Sequence, residues 1–455
     1  MKKTSMDMTE GSILRLIAVF SFPLLMGQLF QNLYNSVDSI IVGQFVGITA
    51  LAAVTSCSDI SMLLVGFFNG LSVGAGVLFS RYFGAKNNDL LHRSIHTAIA
   101  FCLLLGVAMT AAGILLTPQL LRLVDCPPDV YGQASAYLRI YFVGVLFTSL
   151  YNVGSGVLRA VGDSRSPFIY LVISSVTNIA LDLIFVVLLR LDVYGVAIAT
   201  VIAQMCSVAL VFRRLMRAQD VYRLELRDLR IDKKILVQVV SLGLPTAIQS
   251  AIISSSNLFV QRYVNAFGSS AMAGIGVGKK VDKFLMMISQ ALGWTSTTFV
   301  SQNLGAGKRG RVSAGIRTCV LLGAAAMLAI GIPIYIFAPM VVRLFTKNIS
   351  AVSYGVDMVR VMSPFYIVNM LNTVFAGAIR GYGKSQAVMI SSIMGMVVMR
   401  QIFLAISMSI NHSVVNVYYG FPLGWACSMV LTVGYYFLML KKERRTTLQA
   451  PAAGG

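Results

Sequence analysis

Charge is what this chain has least of. Only 12% of its 455 residues are Asp, Glu, Lys or Arg, against about a quarter in a soluble domain, and 57% are hydrophobic. A soluble globular fold is excluded and an integral membrane protein implied. Histidine is nearly missing, with three in all. His92 and His96 stand four apart but lack the Glu of HExxH, so a metal centre is not expected. Six cysteines (Cys57, Cys102, Cys126, Cys206, Cys319 and Cys427) form no CxxC pair; neither disulfides nor zinc are expected. No nucleophile–base constellation is present, which argues against an enzyme. "NLGAGKRG" (303–310) hints at a phosphate loop, but Gln302 stands where the motif needs Gly and Arg309 where it needs Ser or Thr, so ATP-driven transport is unsupported. Alternating ten-residue segments are also lacking, which excludes an outer-membrane barrel.

Long apolar runs are abundant. A helix needs about 20 apolar residues to cross a bilayer, and reading for such runs yields twelve candidate spans between residues 13 and 440. The expected fold is an all-α integral membrane protein. The polar start, "MKKTSMDMTEGS", leads into a run too long for a signal-peptide core and is expected to be retained.

Acids are rarer than bases, 17 to 37, for a net charge of +20. Placement gives that surplus its meaning. With the N-terminus inside, 26 Lys and Arg fall in or beside inner segments, 5 beside outer loops and 6 within spans. This asymmetry predicts both termini cytoplasmic and excludes nucleic acid as the reason for the charge. The basic run 213–233 reads as a cytoplasmic connector held near anionic lipid.

The chain repeats itself at a spacing of 221 residues: "SRYFGAKN" (80–87) as "SQNLGAGK" (301–308), and "SGVLRAVGDS" (155–164) as "AGAIRGYGKS" (376–385). Pro23 and Pro245 match at 222. Each half holds six spans, an even number, so the halves are parallel repeats about a pseudo-two-fold axis normal to the membrane. The expected organisation is an N-lobe over 1–212 (spans 1–6), the connector over 213–233, a C-lobe over 234–440 (spans 7–12) and a cytoplasmic tail over 441–455.

Polar residues inside the spans mark candidate sites. Gln28, Gln31, Asn35 and Asp38 share one face of span 1. Ser250, Ser254, Asn257 and Gln261 form a similar stripe on span 7. Span 5 carries Asn178 and Asp182, one turn apart. Counted from the helix ends at ~1.5 Å per residue, Asp38, Asp182 and Thr200 each lie roughly 12 Å below the outer surface. Four polar residues from three helices at one depth, Asn178 included, could hold a proton or a cation; a buried hydrogen-bond network is the other reading. Asp59 and Asp282 read as partners of nearby intramembrane bases, Asp59 with Arg139 for instance.

With these features the sequence resembles the MATE (multidrug and toxic compound extrusion) family over nearly its whole length, and most closely the DinF-type branch. The resemblance rests on the twelve spans, the duplication and "TEGSILRLIAVFSFPLLMGQLFQNLYNSVDSIIVG" (9–43). It implies a cation site at Asp38, Asn178, Asp182 and Thr200, with Gln31 and Tyr34 beside it and a helix bend at Pro23. It further implies efflux of small organic, mostly cationic compounds in exchange for H⁺ or Na⁺ by alternating access. No other cofactor is implied, and the protein is expected to act as a monomer in the inner (plasma) membrane, in contact with lipid. Asn35, Asn257, Gln261 and Asn369 are expected to line the supporting cleft. One departure concerns the C-lobe, where NorM-type members carry acids in spans 7 and 10. Here span 7 has serines and Asn369 occupies the span-10 position, while Lys279, Lys280, Asp282, Lys283 and Arg400 lie in spans 8 and 11. Those bases keep open an alternative, a flippase for a lipid-linked precursor.

Overall fold

In the computed structural model, residues 6–346 and 348–449 are described, apart from a few side chains, Asp59 among them; the pairing expected of Asp59 lies outside the described residues. Apolar runs with few breakers fold here into helices throughout. They are α1 (Ile13–Ile41), α2 (Ile48–Gly84), α3 (Asn88–Leu123), α4 (Tyr131–Ala160), α5 (Arg165–Asp182), α6 (Asp192–Met216), α7 (Lys233–Asn265), α8 (Gly268–Gly305), α9 (Arg309–Ile336), α10 (Ala338–Arg343), α11 (Ile349–Met362), α12 (Tyr366–Gly381), α13 (Ser385–Ile393), α14 (Arg400–Ile410) and α15 (Val414–Gln449). Eleven stretches of described helix are long and apolar enough to cross a membrane. The twelfth span is α8. At 38 residues it has the length, but Lys279, Lys280, Asp282 and Lys283 lower its hydropathy.

Among the described residues, three π-helical turns interrupt the α-helices: Val42–Val46 after α1, Leu183–Leu188 directly after Asp182, and Met394–Met399 directly before Arg400. Such turns widen the helix, shift the register of the residues beyond them, and are frequent at functional sites.

The chain divides into two compact units, one of residues up to 250 with 301–311, the other of 251–300 with 312–455. In the first unit α4 packs against α2, α3 and α6, and α5 lies between α1 and α6. The first half of α7 belongs to this unit for a steric reason. A Cβ on Gly70 or Gly74 of α2 would strike the α7 backbone at Ala247 or Gly243, so the helices cross at backbone contact.

The C-terminal ends of α2 and α8 cross in the same way, and they do so between repeat-related residues. A Cβ on Gly84 would meet the Gln302 carbonyl oxygen, and one on Gly305 would meet that of Arg81. The stretch that resembled a phosphate loop holds the chain's own start instead. Gln302 Oε1 accepts from the Met8 N–H (2.9 Å), and its Nε2 donates to the Ala160 carbonyl (2.7 Å). Asn303 Nδ2 donates to Met8 O (3.1 Å) and Lys308 Nζ to Thr9 O (3.0 Å).

The basic connector docks on the start of α3. His96 Nε2 accepts from the Glu225 N–H (3.0 Å), Thr97 Oγ1 donates to Arg230 O (3.2 Å), and Arg93 pairs with Asp232. Asp232 also caps α7, accepting from the Lys234 N–H (2.9 Å) and the Ile235 N–H (3.3 Å). Those backbone N–H groups and the Arg93 guanidinium hold its carboxyl below the usual carboxylate range. A depressed carboxylate stabilises the fold above its unfolded-state pKa and loses that contribution as pH falls through the folded value. Asp232→Ala is therefore expected to speed tryptic cleavage at Arg227 and Arg230 at neutral pH, and wild type should show the same loosening only in acid. Equal cleavage rates at neutral pH would remove the clasp.

Candidate functional site

Asp38 ends the polar face of α1, and Asp182 closes α5. Because α5 packs between α1 and α6, two carboxylates from non-adjacent spans meet. Their side chains lie within hydrogen-bonding reach of each other. Asp182 is fully buried (0% exposed) and Asn178, one turn before it, is 1% exposed.

Hydrogen bonding makes the site unusual. Asp38 Oδ1, both Asp182 carboxylate oxygens and both polar atoms of the Asn178 amide are buried with no hydrogen-bond partner among the described residues. A buried polar atom left unpaired costs about 1–3 kcal/mol. Two carboxylates at this range cannot both stay ionised without a cation, since neither can donate to the other. A shared proton removes the conflict, and so does a monovalent metal ion held by hard oxygen donors. The residues present thus fit a positively charged guest of either kind.

Two tyrosines lie near the pair, and a third packs against them. Tyr34, one turn before Asp38, lies within electrostatic range of both carboxylates and of Tyr141. Tyr137 lies within range of Asp38, Tyr34 and Tyr141. Tyr137 and Tyr141 sit on successive turns of α4, stacked with centroids 6.1 Å apart. They belong to a packed cluster with Val42, Val186, Val193, Val196 and Ala197, drawn from α4, α6 and the π turns that follow α1 and α5. Thr200 is buried at 6% exposure on α6, one turn beyond Val196. Gln204, a further turn along, has its Oε1 buried without a partner, close to Gly144 of α4.

Of the residues expected here, Asp38, Asp182, Asn178 and Tyr34 are brought to one place in the first unit, and Thr200 is buried on the adjoining helix. Gln31 is half-buried on α1, and Asn35 is exposed. The second-unit residues have separate surroundings. Asn257 is exposed, Gln261 Oε1 accepts from Lys279 Nζ (2.7 Å), and the buried Asn369 donates to Met286 Sδ (2.9 Å). Tyr137, Tyr141 and Gln204 escaped the sequence reading. Its available signal was the i, i+4 tyrosine pair in "YLRIY" (137–141).

Pro23 lies inside α1, which stays helical through it. An apolar cavity of about 610 Å³ opens beside it, lined by Ala18, Val19, Phe22, Arg165, Phe168 and Ile169. Proline removes one helical hydrogen bond, and the cavity leaves α1 room to bend.

His92, His96 and Asp228 bring their ligand atoms within 4.8 Å of one another. Both His96 ring nitrogens are engaged by backbone, at His92 O (2.7 Å) and the Glu225 N–H (3.0 Å). The cluster therefore offers a metal two free ligands at most, and serves as the connector's clasp.

The MatE family model matches the chain twice, over residues 23–184 and 245–406, so each match begins at one of the repeat-related prolines. The chain is 28% identical over 451 residues to the probable multidrug resistance protein YoeA of Bacillus subtilis (strain 168), with 97% of each chain covered. It is 23% identical over 398 residues to the multidrug export protein MepA of Staphylococcus saprophyticus, with 87% of each covered. Among solved structures it is similar to a multidrug resistance MATE family transporter of the MOP superfamily in an outward-facing conformation. The TM-score is 0.90 at 22% identity, over 97% of this chain and 99% of that one. The fold is the two-lobe, twelve-helix one of such transporters.

Proposed function

The chain belongs to the MatE family and is a multi-pass membrane protein of the multidrug efflux type, and from that premise we propose that it is a cation-coupled antiporter whose driving ion loads between Asp38 and Asp182. The observation that carries this reading is the facing carboxylates of Asp38 and the buried Asp182, with Asp38 Oδ1 and both Asp182 oxygens buried and given no donor among the described residues. The ion is H⁺ or Na⁺; Asn178 would supply an amide oxygen to either, and Thr200 a hydroxyl from α6. The exported compounds are small, organic and mostly cationic, since a buried anionic pair disfavours bound anions and attracts cations. The distribution of Lys and Arg supports a plasma-membrane orientation with both termini in the cytoplasm.

Coupling needs the two guests to prefer different states. A cation arriving from outside relieves the repulsion between the two carboxylates and lets α1 settle against α5. Its departure re-exposes like charges and drives α1 away, with Pro23 as the bend. Alternating access follows if substrate affinity is high in only one of these arrangements. The membrane potential adds about 2.3 kcal/mol per 100 mV for each net charge that a cycle moves.

In proteoliposomes, uptake of ethidium into the lumen should be driven by an imposed proton gradient or an imposed Na⁺ gradient, and by one of them more than the other. No driven uptake of ethidium or of a neutral dye under either gradient would overturn the antiport reading. Pro23→Ala should slow turnover several-fold while leaving cation affinity unchanged, because the bend and the ion site are separate. Unaltered turnover would remove Pro23 from the cycle.

A further inference from the structure

The second unit buries a charge of the opposite sign. Arg400, directly after the π turn Met394–Met399, is 4% exposed. Its Nη2 donates to Ser256 Oγ (2.7 Å), which also accepts from Gln401 Nε2 (3.0 Å). The guanidinium lies over the Phe421 ring, 5.3 Å from the centroid. Its Nε is buried with no acceptor among the described residues. Lys279 on α8 lies within electrostatic range of Arg400 and of Asp282, with its Nζ on Gln261. The Tyr366 hydroxyl is within reach of Asp282, and Asp282 Oδ1 is itself unpartnered. Among the described residues no carboxylate lies within 4.0 Å of either base.

A buried arginine is ordinarily paired, because an unpaired ion in a low-dielectric site costs several kcal/mol. Here Lys279 lies between Arg400 and a single acid, Asp282, that forms no ion pair with either base, which leaves the cluster with a surplus positive charge. The guanidinium has a fixed fork of donors, and Nε shares an edge with Nη2. Nη2 is held by a serine, so the open Nε–H is oriented in advance for an acceptor oxygen. The Phe421 ring beside it offers an apolar surface for a flat organic body.

The geometry points to a binding site for the carboxylate or phosphate of an organic molecule, formed by Arg400 and Lys279 in the second unit. The exported compounds would then include zwitterions, whose acidic group this site takes. That assignment to cargo rests on the export reading; the binding itself does not.

The test is ligand-observed ¹⁹F NMR on the purified full-length protein in phosphatidylcholine nanodiscs. The probes are 4-(trifluoromethyl)benzoate and 4-(trifluoromethyl)benzamide, with no ion gradient, so failure of antiport and failure of this site are distinguishable. Wild type should bind the benzoate at least tenfold more tightly than the benzamide. Arg400→Gln and Lys279→Gln should each reduce that preference, Arg400→Gln to near unity, and Arg400→Lys should keep part of it. Should Arg400→Gln fail to fold, the Lys279→Gln and Arg400→Lys results decide. Competition by inorganic phosphate would support a general anion site. Competition only when phosphatidylglycerol replaces part of the lipid would assign it to a lipid headgroup and overturn the cargo reading. Equal binding of benzoate and benzamide, or a preference unchanged in all the variants, would overturn the site.

Discussion

Asp182→Asn is expected to collapse uphill export to simple equilibration. With one ion exchanged per dye, an ion gradient of about 100-fold supports a dye ratio of about the same size across the membrane; with no membrane potential imposed, the variant should reach a ratio near one. Asp38→Asn should do the same. Each replacement leaves the other carboxylate facing a neutral amide that can donate to it, so the requirement for a cation between the pair is gone. Asp182 is the sharper test because its side chain is wholly buried. Asn is close to isosteric with Asp, so folding should survive, and downhill flux of the same dye should persist in both variants. Tyr34→Phe keeps the ring and removes a hydroxyl near both carboxylates, and its effect should be smaller. The measurement is steady-state dye accumulation in proteoliposomes, and full accumulation in Asp182→Asn would reduce the acid to a packing role.

Gly84→Ala and Gly305→Ala carry the second large effect, on the fold. Each new methyl would strike a main-chain carbonyl at the α2–α8 crossing, and a backbone cannot step aside as a flexible side chain can. Losses of about 3 kcal/mol or more, or failure to accumulate in the membrane, are expected of such overpacking. Gly276, also on α8, supplies the control. A Cβ there meets nothing within 4 Å, and Gly276→Ala should be neutral or stabilising by up to about 1 kcal/mol. Thermal unfolding of the three purified variants separates these cases, and equal midpoints would show that the crossing tolerates a methyl.

Much of this architecture was readable from residues alone. Apolar length and the 221-residue repeat need no tertiary information, because bilayer thickness acts on the chain directly and the repeat is a property of the residues themselves. The repeat also aligns Gly84 with Gly305 as equivalents, but it does not say that their helices touch. Asp38 and Asp182 were identifiable because a carboxylate in an apolar span is costly wherever it lies, and counting 1.5 Å per residue put them at one depth. Tyr137 was not, since aromatic residues in spans are commonplace and only packing shows which lie near a charge; Tyr141 and Gln204 are likewise visible only through their packing. The π turns were hidden for a different reason. They arise when a helix must change register against its neighbours, and no local propensity encodes that. On α7, counting at helical spacing favoured Ser254 and Asn257, whereas the buried partner of Arg400 is Ser256, because the face presented is set by α14.

Cation binding to the purified protein tests the central claim most directly. In weakly buffered detergent solution, addition of saturating ethidium should release protons into a pH indicator, or bound ²²Na⁺ from the protein. The expected amount is about one ion per chain, with none released from the Asp38→Asn, Asp182→Asn double variant. Ethidium binding that releases neither ion from wild type would contradict antiport at this pair.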